Sequence, residues 1–536
     1  MTVVETLAEW VCAVEHGDVP ERVRELTRAQ IASVIAAIHA GQHSRDAGAV
    51  RTAVKGWAAT GRASVIASGE RWSVQDAVLV NSAYSMALDY DDYLYMGHTG
   101  HSAVLAGLAL GEAESHAPKD VLTAMVLANE LGGRVGASAV LGPQNGQAWS
   151  FIHAVEGAVV AAKLWRLSPV QTANALAIAL YQPTFTLWPG FMGPGSKVLT
   201  AAHPTVVGMQ AAAFARAGMT GAREIFEHPR KGFWASFSWA PLPKMLSGLG
   251  EAWVSDTLAF KRYPGCAYID TTLDALFAVL AEYREATGRD LVPADVKRIV
   301  VDANLLSVEM DNLSSEHVRP GEPLSPVNVN FSIPFNVGIA VAAGAHDGAA
   351  LSQEALDAND AAIREIVGKT ELRHDWGMSL AVVRAFDGAL GGGGTLGQLR
   401  PTQLAAVLAG YQKQLGGKKR TGVRPSALLG EWSTLGRMLG AARRRGGGRS
   451  GPRDFTRFRM VFPAQVRLET QDGERYQARQ DIPIGAPGEP GRVEAAYAKL
   501  AREVSLPRER ALALSDALRD FEANPVADTV RLSCGA

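Results

Sequence analysis

The 536-residue sequence contains only three cysteines, Cys12, Cys266 and Cys534, scattered and odd in number. Such usage argues against a disulfide framework or a zinc knuckle and fits a reducing compartment. Aromatic residues make up 7% of the chain, while hydrophobic residues reach 47%. The core must therefore be built from small aliphatic side chains, which favours closely packed helices over an aromatic-rich sandwich. Neither sign of charge prevails, with 53 Lys+Arg against 54 Asp+Glu, so no global field argues for nucleic acid or a membrane surface. No run approaches the ~18 uninterrupted apolar residues of a membrane span, and acids stand near the N-terminus where a secretory signal needs a basic start. The expectation is a soluble, cytoplasmic protein.

A chain of this length exceeds one ordinary core. Its patterns predict a mostly α protein: a large all-helical domain over 1–258, a smaller α+β lid domain over 259–488, and C-terminal helices over 489–536 that return to the first. Pro20 and Gly41 bracket one amphipathic helix. Ala-rich segments at 103–115, 118–141, 153–166, 169–182 and 204–217 repeat at helical spacing between Gly or Pro. After Lys261, VKRIVVDANLLSV alternates like a strand, and QVRLETQDGERYQARQ reads as strand, Asp-Gly turn, strand. Residues 375–455 read as an inserted segment that includes GALGGGGTLG and a basic run over 418–453. That run has no aromatic for base stacking beyond Trp432, so a solvated face is the reading. GALGGGGTLG lacks the GK[ST] of a phosphate-cradling loop and reads as a linker.

The most chemically loaded stretch is ALDYDDYLYMGHTGHSAVLAGLALGE, residues 87–112. Asp89, Asp91 and Asp92 precede His98 and His101 by a few residues, which places acids and bases together by connectivity alone. Carboxylates sharing a cleft raise one another's pKa, and an imidazole accepts protons near neutrality. Lys197 follows GPGS at a helix start, where the helix dipole disfavours a cation, so its position calls for an anionic partner. Asp89-Tyr90-Asp91-Asp92 also spells the DxDD string of class II terpene cyclases. Those enzymes stabilise carbocations with many aromatics, which this composition does not supply.

The order of motifs resembles the MmgE/PrpD family of 2-methylcitrate dehydratases, cis-aconitate decarboxylases and an iminodisuccinate epimerase. The likeness runs through TLAEWVCAVEHGDVPERV, SVQDAVLVNSAYSMALDYDD, HTGHSAVLAGLALGEAE, FIHAVEGAVVAAKLWRL, SKVLTAAHPTVVGMQ, FKRYPGCAYIDTTLDAL and VNVNFSIPFNVGIAVAAG. It implies a helical domain with a lid, a site in the cleft between them, a homodimer and a small carboxylate substrate. It also implies chemistry without a metal or organic cofactor, and the balanced charge and lack of long apolar runs predict no nucleic-acid or membrane partner.

Carried over motif by motif, the resemblance makes Asp89, His98, His153, Lys197 and Lys261 the catalytic residues, with Asp92, His101, Arg262 and Cys266 binding substrate. His98 is a better match than His101 because its distance to Glu112 fits the family's downstream acid. In this reading the two lysines supply cations for an enolate-like state, the histidines move protons and Asp89 orients them, while Asp91 and Asp92 hold the turn. Cys266 reads first as a small buried residue, the alternative being a reactive thiol of lowered pKa beside Lys261. Thr200, Cys266 and Asp270 depart from the family's usual histidines, and no tyrosine lies between Tyr283 and Tyr411. Those departures favour dehydration over decarboxylation. Epimerisation, or a catalytically silent relative that binds an acid, remains an alternative.

Overall fold

The computed structural model describes residues 1–143, 150–315, 317–318, 321–389, 399–415 and 454–535. Among the described residues up to Arg216 there are ten α-helices: α1 Val3–Ala13, α2 Glu21–Gly41, α3 Arg45–Lys55, α4 Val74–Met86, α5 Gly100–Glu114, α6 Pro118–Ser138, α7 Phe151–Leu164, α8 Pro169–Tyr181, the short α9 Trp188–Phe191 and α10 Leu199–Arg216. Their starts follow the sequence chemistry. Ser73 caps α4 by accepting from the Asp76 N–H at 3.2 Å, and Pro118 and Pro169 occupy first-turn positions that need no N–H donor.

Helix α10 lies against α4, α7 and α8. A Cβ at Gly208 would collide with the Ala154 carbonyl on α7, so glycine is what lets these two backbones approach. With the preceding turn, α10 is the one described helix long and apolar enough to cross a bilayer, yet most of it is buried inside the protein. Its apolar character serves the core.

The remaining sheet contains four strands, β5 Val296–Ala303, β6 Thr370–His374, β7 Ala464–Thr470 and β8 Arg475–Gln480, after two small pairs formed by β1 Thr60–Ser64 with β2 Arg71–Trp72 and β3 Asp92–Tyr93 with β4 Ala259–Phe260. The order is β6-β5-β7-β8, parallel between β5 and β6 and antiparallel elsewhere. The expected strand and Asp-Gly hairpin are β5, β7 and β8. β6 was not expected, because the polar TELRH forms a half-buried edge strand without apolar alternation. Leu273, Val296, Ile299, Val301, Val466 and Leu468 share the core of this sheet region.

A third, smaller cluster joins Leu88 and Tyr90 to Leu324, Val329 and Ile339, so the aspartate loop lies where the helical layer meets the lid. The C-terminal helix Arg492–Glu503 returns to pack on α2. The inserted stretch begins with a helix, Trp376–Ala389, that is tied into the body: Phe386 packs 5.4 Å from Tyr95 and 5.3 Å from Phe458 between ring centroids. Most of GALGGGGTLG and the basic run 418–453 lie outside the described residues.

Candidate active site

Helix α4 ends at Met86, and the chain turns through Asp89 in the left-handed region at φ 50°. Three residues later β3 pairs antiparallel with β4, Asp92 opposite Phe260 and Tyr93 opposite Ala259. This register delivers Lys261 to the aspartate loop. Its Nζ donates to the Asp89 carbonyl at 2.6 Å, to Asp89 Oδ1 at 3.0 Å and to Asp91 Oδ1 at 2.9 Å. An ammonium has three N–H donors, and here all three are taken.

Lys197 approaches from the turn before α10, and its Nζ donates to Asp89 Oδ2 at 3.0 Å. Asp89 is thus the anionic partner that a cation at that helix start calls for. The Lys197 ammonium lies 4.5 Å from the centroid of Phe331 and 5.2 Å from that of Phe191. Lys197, Lys261, Asp89 and Asp91 are all buried. Burial pushes both carboxyls up, but the neighbouring groups win: Lys197 and Lys261 hold Asp89 below its ordinary range, and His101, Lys261 and His98 do the same for Asp91. Burial likewise opposes charge on Lys261, yet Asp89 and Asp91 raise it above the usual value. At Lys197 burial prevails over Asp89, and the ammonium is lowered.

Asp91 Oδ2 is hydrogen-bonded to His98 Nδ1 at 2.8 Å and lies 3.0 Å from His101 Nε2, within ion-pair distance but without hydrogen-bond geometry. Exposure separates the two histidines. The His98 side chain is 15% exposed, whereas that of His101 is fully buried with its Nδ1 2.7 Å from Ser85 Oγ. The bond to Asp91 places the His98 proton on Nδ1 and leaves Nε2 as the free base. His153 lies deeper, its ring centroid 6.4 Å from that of His101. Ser102 Oγ lies 2.8 Å from His153 Nδ1 and donates to Glu156. His153 Nε2 has no hydrogen-bond partner among the described residues. Burial holds His153 well below its ordinary pKa and Glu156 well above.

Several expectations need correction. Asp91 is the hub of the cluster and does more than hold the turn. Asp92, expected to bind substrate, instead accepts from Gln30 Nε2 at 2.7 Å and packs so tightly on Gly100 that any Cβ there would collide with Oδ1. Burial and Asp91 push its carboxyl up to about 6. Arg262, also expected to bind substrate, is 43% exposed and reaches Asp274 at 3.5 Å, away from the lysine pair. Burial and Asp89 push the Cys266 thiol up to about 12, so it is a small neutral side chain near the lysines and no thiolate. Glu112 anchors β1 through the Ser64 N–H and Oγ, both at 2.7 Å.

Gln30, Ser102 and Glu156 were missed. Ser102 is adjacent to His101, and Glu156 stands one helical turn after His153, but neither spacing is distinctive by itself. Asp270, one of the departures, is buried, with neither carboxylate oxygen hydrogen-bonded among the described residues, and burial with Asp274 pushes it well above the usual range. Ligand atoms of Asp89, Asp91 and His98 lie within 4.8 Å of one another, close enough for a metal ion. Lys261 already contacts both carboxylates, so a cation is built into that position.

A mostly helical body with a smaller α+β layer, and a buried Asp–Lys–His centre at their join, defines a class of two-part proteins. The chain belongs to the MmgE/PrpD family: residues 5–244 match its N-terminal domain and residues 263–381 its C-terminal domain. Among similar proteins, a cis-aconitate decarboxylase-like protein, oryM, of Aspergillus oryzae is 24% identical over 319 residues, 56% of this chain and 66% of that one. A cis-aconitate decarboxylase of Aspergillus terreus is 23% identical over 362 residues, 63% of this chain and 71% of that one.

Proposed function

We propose that this protein is a lyase that removes the α-proton of a di- or tricarboxylate and expels water, without a bound cofactor. The observation that carries the reading is the contrast between the two lysines. Lys261 spends all three donors on Asp89 and Asp91, whereas Lys197 makes one hydrogen bond among the described residues, to Asp89, and retains donors for an incoming carboxylate.

In this reading Lys197 binds the carboxylate beside the reacting carbon and stabilises the enolate-like charge as it develops. His98 Nε2 takes the proton, and the imidazolium so formed is held against the Asp91 carboxylate at 2.8 Å. His153 Nε2 accepts a hydrogen bond from the substrate hydroxyl and orients it. When the C–O bond breaks, the departing hydroxide takes the proton from His98 and leaves as water, which restores the neutral base. Because the lysines and aspartates are closed off from solvent, substrate entry requires the lid layer to move, and reclosure strengthens each of these interactions.

The relatives' names support a second outcome on the same framework, loss of carbon dioxide, in which His98 enters protonated on Nε2 with a proton taken from solvent and gives that proton to the carbanion. Incubating the protein with 2-methylcitrate, cis-aconitate and related acids, followed by mass spectrometry, separates the two. The proposal expects loss of water; loss of carbon dioxide replaces it with the decarboxylase. Thermal stabilisation by these acids without turnover replaces it with a binding protein. We also propose a homodimer, supported by the exposed Val207 and Phe214 two turns apart on α10. Sedimentation as a monomer would overturn it.

A further inference from the structure

We propose that Lys499, on the C-terminal helix Arg492–Glu503, is a positioning residue that holds the aspartate loop in its working conformation; this rests on the reading of that loop as the reaction centre. Lys499 is 1% exposed. Its Nζ donates to the Tyr90 carbonyl and to Ser33 Oγ at 3.0 Å on α2, and lies 4.0 Å from the centroid of the Tyr90 ring. The neighbouring carbonyl, that of Asp89, is held at 2.6 Å by Lys261. Two successive carbonyls of the loop are thus pinned by ammonium groups from distant parts of the chain, at the point where Asp89 takes a left-handed conformation that is unfavourable for a residue with a Cβ.

Arg502 and Glu503, on the same helix face as Lys499, extend the hold. Tyr90 Oη donates to the Arg262 carbonyl at 2.9 Å and to Glu503 Oε1 at 3.1 Å, and Arg502 donates to the Arg262 carbonyl at 2.6 Å. Glu503 Oε2 accepts the Gly348 N–H of the lid at 3.2 Å. One helix therefore grips the aspartate loop, the segment carrying Lys261 and the lid together. Burial pushes the Lys499 ammonium down to about 7 against the pull of Asp91, Asp92 and Glu503. A methionine of similar length would avoid that desolvation, so packing alone does not explain a lysine here.

The test compares Lys499→Met with the unmodified protein by hydrogen–deuterium exchange over 87–98 and by steady-state kinetics on whichever acid the unmodified protein turns over. The expected result is a cooperatively folded variant whose loop amides exchange about tenfold faster, with kcat reduced about tenfold and KM within about threefold. Unchanged loop exchange overturns the proposal, as does faster exchange with unchanged kcat. Should Lys499→Met not fold, Ser33→Ala removes one Lys499 acceptor and leaves the loop intact; the same two outcomes then decide, at smaller amplitude. An unmodified protein without turnover refutes the proposed lyase function, while exchange in the variant still decides whether Lys499 holds the loop.

Discussion

Lys197 Nζ and Asp89 Oδ2 lie 3.0 Å apart, with neither side chain more than 2% exposed. Breaking such a pair from one side strands a buried charge, which costs about 3–5 kcal/mol. Asp89→Asn is therefore expected to lose about that much stability and its turnover. Adding Lys197→Met to it should recover part of the stability and none of the activity. Urea denaturation of the two single variants and the double variant measures the coupling, and simple additivity would show that the pair is not coupled.

His98 and Asp91 form the proposed base. His98→Asn and Asp91→Asn are each expected to lower kcat by ~10²–10⁴, the usual worth of a positioned proton-transfer group. The double variant should be little worse than either single one, because the two act as a unit. Steady-state kinetics on folded variants checks this, and multiplicative losses would assign them separate roles.

Asp92 titrates at about 6 in the folded protein, above the ~3.9 of an unfolded chain. The folded state thus holds this proton more tightly. Its contribution favours folding below about pH 4, weakens as pH rises through the window from about 4 to about 6, and is constant above. Asp92→Asn still accepts from Gln30 and removes the ionisation. Relative to the unmodified protein it should gain up to ~3 kcal/mol at pH 7 and almost nothing at pH 4. Denaturation at the two pH values measures the difference.

The cation between Asp89 and Asp91 is Lys261. Dialysis against EDTA should leave turnover unchanged, and added Mg²⁺ or Zn²⁺ should not raise it. Loss of activity on chelation with recovery on metal addition would place a metal at Asp89, Asp91 and His98.

The helical body, the β5 strand and the β7–β8 hairpin were legible because periodicity and turn chemistry are local. Asp89, His98, Lys197 and Lys261 were legible from motif order, and the structure brings these four together. Asp91 and Asp92 were misjudged for a local reason: Asp91 lies just before β3 and Asp92 opens it, and the two adjacent side chains diverge, one meeting Lys261 and the other Gln30. Arg262 follows Lys261 and diverges from it in the same way, reaching Asp274. Lys499 could not be found from spacing, since 409 residues separate it from the carbonyl it holds. Nor does the string KRYPGC reveal how far burial raises the Cys266 thiol; that depends on the packing around it.

The most direct test of a proton-abstracting site is solvent exchange. The unmodified protein and His98→Asn, incubated in heavy water with a panel of di- and tricarboxylates, are followed by NMR. Deuterium is expected at the carbon next to a carboxylate in at least one acid with the unmodified protein, and none with His98→Asn. Exchange that persists in His98→Asn, or a folded unmodified protein that exchanges and turns over no member of the panel, would contradict the proposed site.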